Sequence, residues 1–122
     1  MKFSEDYNPG SNMIRAYHSN GVNINGQTFE QSLVVSPNRL IDDWPVTSVD
    51  DLSVDLLQEL VEHSPEVILI GTGRQIRFPS PEIYAHVVNQ GIGIEFMDTG
   101  AACRTYNILL SEQRKVIAGI II

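Results

Sequence analysis

The chain has little of what disulfide-stapled, metal-binding or membrane-spanning proteins carry. Its single cysteine, Cys103, excludes an intramolecular disulfide and favours a reducing compartment. The three histidines, His18, His63 and His86, fall on different predicted elements without metal-ligand spacing, so we expect no metal and no cofactor. The longest apolar run, residues 116–122, is too short to cross a bilayer.

Positive charge is also scarce. Eight lysines and arginines stand against 15 aspartates and glutamates, which gives a formal net charge of −7. Because phosphate groups are bound by basic surfaces, we expect no nucleic-acid partner and no adhesion to anionic lipid. The N-terminal residues 1–6 are acidic and lack an apolar signal core, so we expect a cytoplasmic protein without a transmembrane segment.

What the chain does have is enough apolar side chain for one globular domain. Of its 122 residues, 43% are hydrophobic, and a chain of this length buries roughly two-thirds of its unfolded surface. Residues 1–12 end in the turn-rich run Asn8–Asn12 and are predicted to form a flexible leader. Residues 13–122 are predicted to form a single domain.

The N-terminal part of that domain predicts antiparallel strands. Residues 13–18 are a predicted strand, and Asn20-Gly21 and Asn25-Gly26 are dipeptides that tolerate the positive φ of hairpin turns. The stretch 27–36 is predicted to be one strand that enters the core. Residues 39–45, which include the only tryptophan, are predicted to be a linking segment.

From residue 48 onwards the pattern alternates helices with strands. The predicted elements are a helix capped by Ser48 or Ser53, strand 67–70, a helix starting at Ser80-Pro81, strand 92–97, helix 99–112 and strand 116–121. The second helix is predicted to bury Ile83, Tyr84, Val87 and Val88. Consecutive strand–helix–strand units imply parallel pairing. We therefore predict an α/β domain with a mixed sheet, parallel in its C-terminal half and with an antiparallel N-terminal hairpin.

Two loops are the best candidates for a site, residues 71–74 and residues 97–100. Each follows a predicted parallel strand, and open α/β sheets bind ligands at the carboxyl ends of their strands. If the strands before them are neighbours, the loops face each other across a crevice suited to a small anion. The structural alternative is that the glycines permit tight turns and Asp98 or Thr99 caps a helix. The candidate residues are Gly71, Thr72, Gly73, Arg74, Asp98, Thr99, Gly100 and Arg104.

Cys103 follows two alanines near the start of the third predicted helix. A helix N-terminus and the neighbouring Arg104 would both lower a thiol pKa, so a reactive thiol is one hypothesis. No histidine is close in sequence to serve as a base, and cysteine is among the most buried residue types. We therefore predict that Cys103 has a structural role.

The run from Gly91 to Asn107, Gly-Ile-Gly-Ile-Glu-Phe-Met-Asp-Thr-Gly-Ala-Ala-Cys-Arg-Thr-Tyr-Asn, resembles the Mth-like domain family of unknown function. Further matching segments are Ile24–Gly26, Leu33–Pro37, Trp44-Pro45, Gly71–Gly73 and Glu112–Ala118. The resemblance implies a three-layer fold around a central mixed sheet, and no established enzyme activity, cofactor or catalytic residue. For the family's mitochondrial branch, the resemblance implies a role in assembling respiratory complex I. We expect this chain to differ from that branch in having no presequence, which favours a bacterial-type member.

Two hypotheses of different classes follow. The first is a non-enzymatic interaction protein, an assembly factor for a respiratory (complex I-like) or other membrane-associated complex, acting on protein partners through an exposed apolar patch. Tyr7, Tyr17 and Trp44 are candidates for that patch, and for Trp44 the favoured alternative is a place in the core. The second is a small anionic-ligand-binding module, or an enzyme of unknown reaction, at the crevice. A filled crevice would favour the first hypothesis and a deep polar one the second, while the oligomeric state stays open.

Overall fold

In a computed structural model of the chain, residues 10–122 are described. They form strands β1 (Ile14–His18), β2 (Gly21–Ile24), β3 (Gln27–Phe29), β4 (Leu33–Ser36), β5 (Arg39–Ile41), β6 (Val67–Gly71), β7 (Gly93–Met97) and β8 (Val116–Ile120), and helices α1 (Val54–Val61), α2 (Pro81–Val88) and α3 (Thr99–Ser111). Residues 1–9 of the predicted leader lie outside the described residues. No helix within residues 10–122 has the length and apolar content that crossing a membrane requires.

The strands form two sheets. One is antiparallel, with the order β1-β2-β3, and the other has the order β5-β4-β8-β6-β7. In the larger sheet β6 pairs in parallel with β7 and β8, whereas β4 pairs antiparallel with both β8 and β5. The prediction of a mixed sheet with a parallel C-terminal half and an antiparallel N-terminal hairpin is therefore confirmed.

The strand order places helices on both faces of the larger sheet. The chain moves outward from β6 to β7 through α2, and then back past β6 to β8 through α3. Since crossovers between parallel strands are right-handed, two crossovers in opposite directions must use opposite faces. The core agrees: Ile83 of α2 packs in the cluster of Ile68 and Ile70, whereas Tyr106 of α3 packs in the cluster of Leu69.

These packing relations produce three layers. Helices α1 and α2 form one outer layer, the five-stranded sheet lies in the middle, and α3 with the three-stranded sheet forms the other outer layer. Both faces of strand β6 are therefore covered by other layers. Its uninterrupted Val-Ile-Leu-Ile sequence predicts this, since a strand buried on both faces needs apolar side chains on both.

Two predictions of local structure are wrong. The stretch 27–36 is not one strand, because β3 and β4 belong to different sheets. The chain changes sheet at Ser32, whose carbonyl accepts from the N–H of Trp44 (3.3 Å) and whose hydroxyl accepts from the N–H of Ile122 (3.2 Å). The predicted link 39–45 contains β5, a three-residue strand too short to show alternation.

Asn12, the last residue of the predicted leader, joins three parts of the fold. Its side-chain amide donates to the carbonyls of Ser36 (3.0 Å) and Arg39 (2.9 Å) in the β4–β5 hairpin. Its backbone N–H donates to the carbonyl of Pro37 (2.9 Å), and its own carbonyl accepts from the hydroxyl of Tyr106 on α3 (2.7 Å). The start of β1 is thereby held against both α3 and the edge of the larger sheet.

Trp44 packs directly on the backbone of the central strand β8. Its side chain is 7% exposed, and a Cβ built on Gly119 would lie 2.5 Å from its Cη2 atom. The absence of a side chain at Gly119 is therefore what lets the indole reach the sheet. Trp44 is therefore a core residue, which confirms the core alternative for this tryptophan and removes it from the candidates for a surface patch.

Gly119→Ala is expected to lower the free energy of unfolding by about 2 kcal/mol, since overpacking a rigid core site costs about 1–3 kcal/mol. The matched control is Gly93→Ala, because a Cβ there meets nothing closer than 3.7 Å and should change stability by less than about 0.5 kcal/mol. Urea unfolding followed by tryptophan fluorescence measures both. Equal losses in the two variants would contradict the packing described for Trp44.

Candidate functional site

The two candidate loops are joined to each other by hydrogen bonds. Because β6 and β7 are neighbours, their carboxyl ends meet at one edge of the sheet. There the N–H of Thr72 donates to the carbonyl of Met97 (2.9 Å), and the N–H of Thr99 donates to the carbonyl of Gly73 (2.8 Å). The N–H of Gly73 in turn donates to the hydroxyl of Thr99 (2.8 Å). The structure brings the predicted loops together, and at this point leaves no gap between them.

Thr99 extends this connection to a third strand. Its side chain is fully buried, and its hydroxyl donates to the carbonyl of Ile121 just beyond β8 (2.7 Å). Gly71 makes room for this contact, because a Cβ at Gly71 would lie 3.0 Å from the Cα of Thr99 and 3.1 Å from the Cβ of Ala102. Both the donor and an acceptor position of the Thr99 hydroxyl are thus used by the protein itself.

The other polar groups of the loops are also used internally. The hydroxyl of Thr72 donates to the carbonyl of Gln75 (2.7 Å) and accepts from the N–H of Arg77 (3.1 Å), which shapes the loop after β6. A carboxylate oxygen of Asp98 accepts from the N–H of Ala101 (2.9 Å) and caps α3. The cap formed by Asp98 is what the structural alternative predicts, whereas the contacts of Thr72 and of Thr99 were not predicted.

The arginines of the predicted site remain on the surface. Arg74 and Arg104 are exposed, and within residues 10–122 neither forms an ion pair. The guanidinium of Arg104 lies over Gly100: a Cβ built there would be 3.5 Å from its Nη1 atom and 3.4 Å from the Asp98 carboxylate. An anion-binding role for the two arginines stays a prediction.

Cys103 is packed on the inner face of α3. It is 4% exposed and lies in the same apolar cluster as Tyr106. Burial raises the pKa of its thiol to about 12, an effect that exceeds the opposing influence of the Arg104 charge. Within the described range no group of three or more His, Cys, Asp and Glu side chains is arranged to hold a metal ion. The surroundings of Cys103 are those of a packed residue rather than of an activated nucleophile.

Exposed apolar side chains lie elsewhere, with a group after β6 and along α2 and a further one, Ile108 (56% exposed), on α3. The aromatic surface, as we call it, consists of Ile76 (52% exposed), Phe78 (70%), Tyr84 (48%) and Val88 (39%). The prediction that Tyr84 and Val88 are buried is wrong, since only Ile83 and Val87 of the four predicted positions are buried. Of the residues first proposed for a patch, Tyr17 is half-buried and Tyr7 lies outside the described residues.

The sequence holds one signal for this surface that was missed. Phe78 stands between Arg77 and Pro79, in a stretch with neither helical nor strand periodicity, so no element of secondary structure was available to bury it.

Residues 14–121 match a protein family described as "Protein of unknown function (DUF498/DUF598)". The chain belongs to this family. It is 36% identical over 111 residues to NADH dehydrogenase (ubiquinone) 1 alpha subcomplex assembly factor 3 of Danio rerio, an alignment that covers 89% of this chain and 63% of that protein. The chain therefore spans about three fifths of the length of this relative.

Two solved structures share the fold. A crystal structure of a Bordetella parapertussis protein superposes with a TM-score of 0.86 at 35% identity, covering 92% of this chain and 96% of that one. A solution structure of a Bordetella pertussis protein described as a Mth938-like domain has a TM-score of 0.82 at 29% identity, covering 99% of this chain and 92% of that one. The resemblance inferred from the sequence, and the fold it implied, are confirmed.

Native Cys103 is expected to react slowly with iodoacetamide at pH 8, because only the thiolate attacks and a pKa near 12 leaves little of it. In urea the thiol returns to an ordinary pKa of about 8.5, and the reaction should accelerate by at least about a hundredfold. Mass spectrometry of quenched samples gives both rates. Alkylation of the native protein at the rate found in urea would revive the reactive-thiol hypothesis.

Thr99→Val is expected to lower the free energy of unfolding by about 3 kcal/mol, because it leaves the Gly73 N–H and the Ile121 carbonyl buried without their partner. Thr105→Val, on the same helix, is the matched control. Its hydroxyl forms no hydrogen bond within residues 10–122, so a change below about 0.5 kcal/mol is expected. If urea unfolding finds the two variants equally stable, the hydroxyl of Thr99 is not what joins the three strands.

Proposed function

We propose that this chain is a non-enzymatic interaction protein that assists the assembly of a respiratory, complex I-like membrane complex. The observation that carries the proposal is the aromatic surface on a chain 36% identical to a protein named as an assembly factor of NADH dehydrogenase. An assembly factor must recognise a partner protein and later release it, which an exposed surface can do without chemistry.

The composition of the aromatic surface is that of a protein-binding site. Residues that dominate binding energy at interfaces are enriched in aromatic side chains and arginine. Here the exposed Arg74 and Arg77 flank Ile76 and precede Phe78 in the same loop. In a chain of net charge −7, these two cations favour a partner segment that combines apolar residues with carboxylates.

Phe78 is exposed but also supported. Its ring contacts Phe96 of β7 at a centroid distance of 6.4 Å and an interplanar angle of 56°. That contact limits the conformations of the side chain before a partner arrives, which reduces the entropy lost on binding. Phe78 is therefore the residue on which we expect binding to depend most.

The crevice hypothesis receives less support from the geometry. Its two hydroxyls, on Thr72 and Thr99, are engaged within the protein, and its carboxylate caps α3. A filled edge together with an exposed apolar surface favours partner binding over catalysis, and we propose no reaction for the chain.

The test is affinity purification of the tagged full chain from membranes of its source organism, with quantification of the co-purifying complex I subunits. Phe78→Ala combined with Tyr84→Ala should reduce their recovery at least about thirtyfold, the loss that corresponds to one interface hot spot of about 2 kcal/mol. Ile108→Ala is the matched control, since Ile108 is 56% exposed on α3 and outside the aromatic surface. It should leave recovery unchanged.

A genetic experiment separates assembly from mere association. Deletion of the gene should reduce fully assembled complex I on native gels, with subassemblies accumulating, and the wild-type gene should restore it while the Phe78/Tyr84 double variant does not. Normal complex I levels in the deletion strain would refute the assembly role. Equal recovery of subunits by the double variant and the wild type would refute the role of the aromatic surface.

A further inference from the structure

A cavity of about 730 Å³ opens at the opposite edge of the larger sheet, where β6 and β8 begin. The segments that follow α1 and α3 line it on one side, and the turn between β4 and β5 lines it on the other. Its size falls within the roughly 300–1,000 Å³ typical of small-molecule sites. No part of the crevice or of the aromatic surface contributes to it.

The charge of the lining is the reverse of that of the chain. Arg39, Arg114 and Lys115, three of the eight lysines and arginines, line the cavity together with one carboxylate, that of Glu62. The Nε of Arg114 is held by Glu66 at 2.7 Å, which orients the guanidinium and leaves its other nitrogens available. Within residues 10–122 this is the one ion pair, so neither Arg39 nor Lys115 has a carboxylate at ion-pair distance there, although the charge of Lys115 is close enough to Glu66 to help lower the pKa of that carboxyl.

Two residues with strained backbone conformations face the same cavity. Ser64 (φ 58°) and Gln113 (φ 60°) follow α1 and α3, and both line the cavity. Glycine adopts this conformation at lower cost and is the usual residue at such helix ends. Neither side chain forms a hydrogen bond to another described residue, so a hydroxyl and an amide are kept, at a cost in strain, where a ligand would meet them.

Two features of the cavity determine what it can hold. Its base is apolar, with Leu110, Val116 and Ile117 each less than 7% exposed. The C-terminal ends of α1 and α3 bring partial negative charge of about half a unit each, which offsets part of the cationic charge. The balance suits an anion of low charge with an apolar body, bound through directed hydrogen bonds, better than a bare inorganic ion.

We propose that this cavity binds a small amphipathic anion, a carboxylate or phosphate ester whose head meets Arg39, Arg114 and Lys115 and whose body rests on Leu110. Gln113 and Ser64 hydrogen-bond the polar part of the ligand. Such a head group is found both in soluble metabolites and in lipids. The net charge of −7 opposes approach to an anionic membrane, so the expected source is soluble.

The test is an NMR titration of the isotope-labelled full chain with phenyl phosphate and, separately, with hexanoate. Binding is monitored through the backbone amide chemical shifts. Benzyl alcohol and hexanol serve as neutral controls. We expect saturable shifts at residues 62–65 and 113–117 for the two anions only. Arg39→Gln combined with Lys115→Gln should weaken binding at least about tenfold. Arg74→Gln combined with Arg104→Gln removes the same charge at the opposite edge and should leave binding unchanged.

A second variant examines the strained backbone. Gln113→Gly should raise the melting temperature by relieving the positive φ, and should nevertheless weaken the binding of phenyl phosphate. A higher melting temperature with unchanged affinity would overturn the contact assigned to Gln113.

The remaining outcomes of the titration decide where on the protein the ligand binds. Binding that is lost in the Arg74/Arg104 variant and kept in the Arg39/Lys115 variant would move the ligand to the crevice and overturn the proposal, as would the absence of saturable binding.

Sedimentation with phosphatidylcholine vesicles, with and without phosphatidylglycerol, distinguishes a soluble ligand from a lipid head group. Binding of phenyl phosphate without sedimentation supports a soluble ligand. Sedimentation that depends on phosphatidylglycerol and on Arg39 and Lys115 supports a lipid head group, whereas sedimentation that survives their loss counts against the cavity.

Discussion

The buried hydroxyl of Thr99 is the contact on which the arrangement of this protein depends. It links the loop after β6 to the residue that follows β8, and it is reached only because Gly71 has no side chain to keep α3 away. Three parallel strands are thereby connected at their carboxyl ends. The edge at which open α/β sheets ordinarily bind ligands is, in this chain, occupied by its own hydrogen bonds.

Because the carboxyl edge of the sheet is occupied by internal hydrogen bonds, the two candidate binding sites lie on other parts of the surface. The cationic cavity lies at the amino edge, where the segments after α1 and α3 return to β6 and β8. The aromatic surface lies after β6 and along α2, at the outer side of the sheet. The two are made by different elements, so a partner protein and a small ligand would not compete for the same residues.

Much of the fold was predictable because it rests on local signals. Continuous apolar runs located β6 and β8, one of the two candidate serine caps, Ser53, located helix α1, and Asn-Gly turns located the hairpins of the three-stranded sheet. Strand β5 and the break before β4 were missed, since three residues show no periodicity and a change of sheet leaves no mark in composition. The exposure of Tyr84 was missed for a related reason: helical spacing tells which residues share a face, not how wide a face the neighbouring elements cover.

The sequence by itself determined the class of fold, the parallel half of the sheet and the loops that would meet at its carboxyl edge, because these follow from periodicity and from the rules of strand connection. Only the tertiary structure decided whether those loops would be open or joined. That outcome depends on a hydroxyl and a carbonyl 22 residues apart in the chain coming within 2.7 Å. It also decided that Trp44 is buried against Gly119 and that cations from distant segments share one cavity. Such contacts depend on how finished elements pack, and no local pattern encodes them.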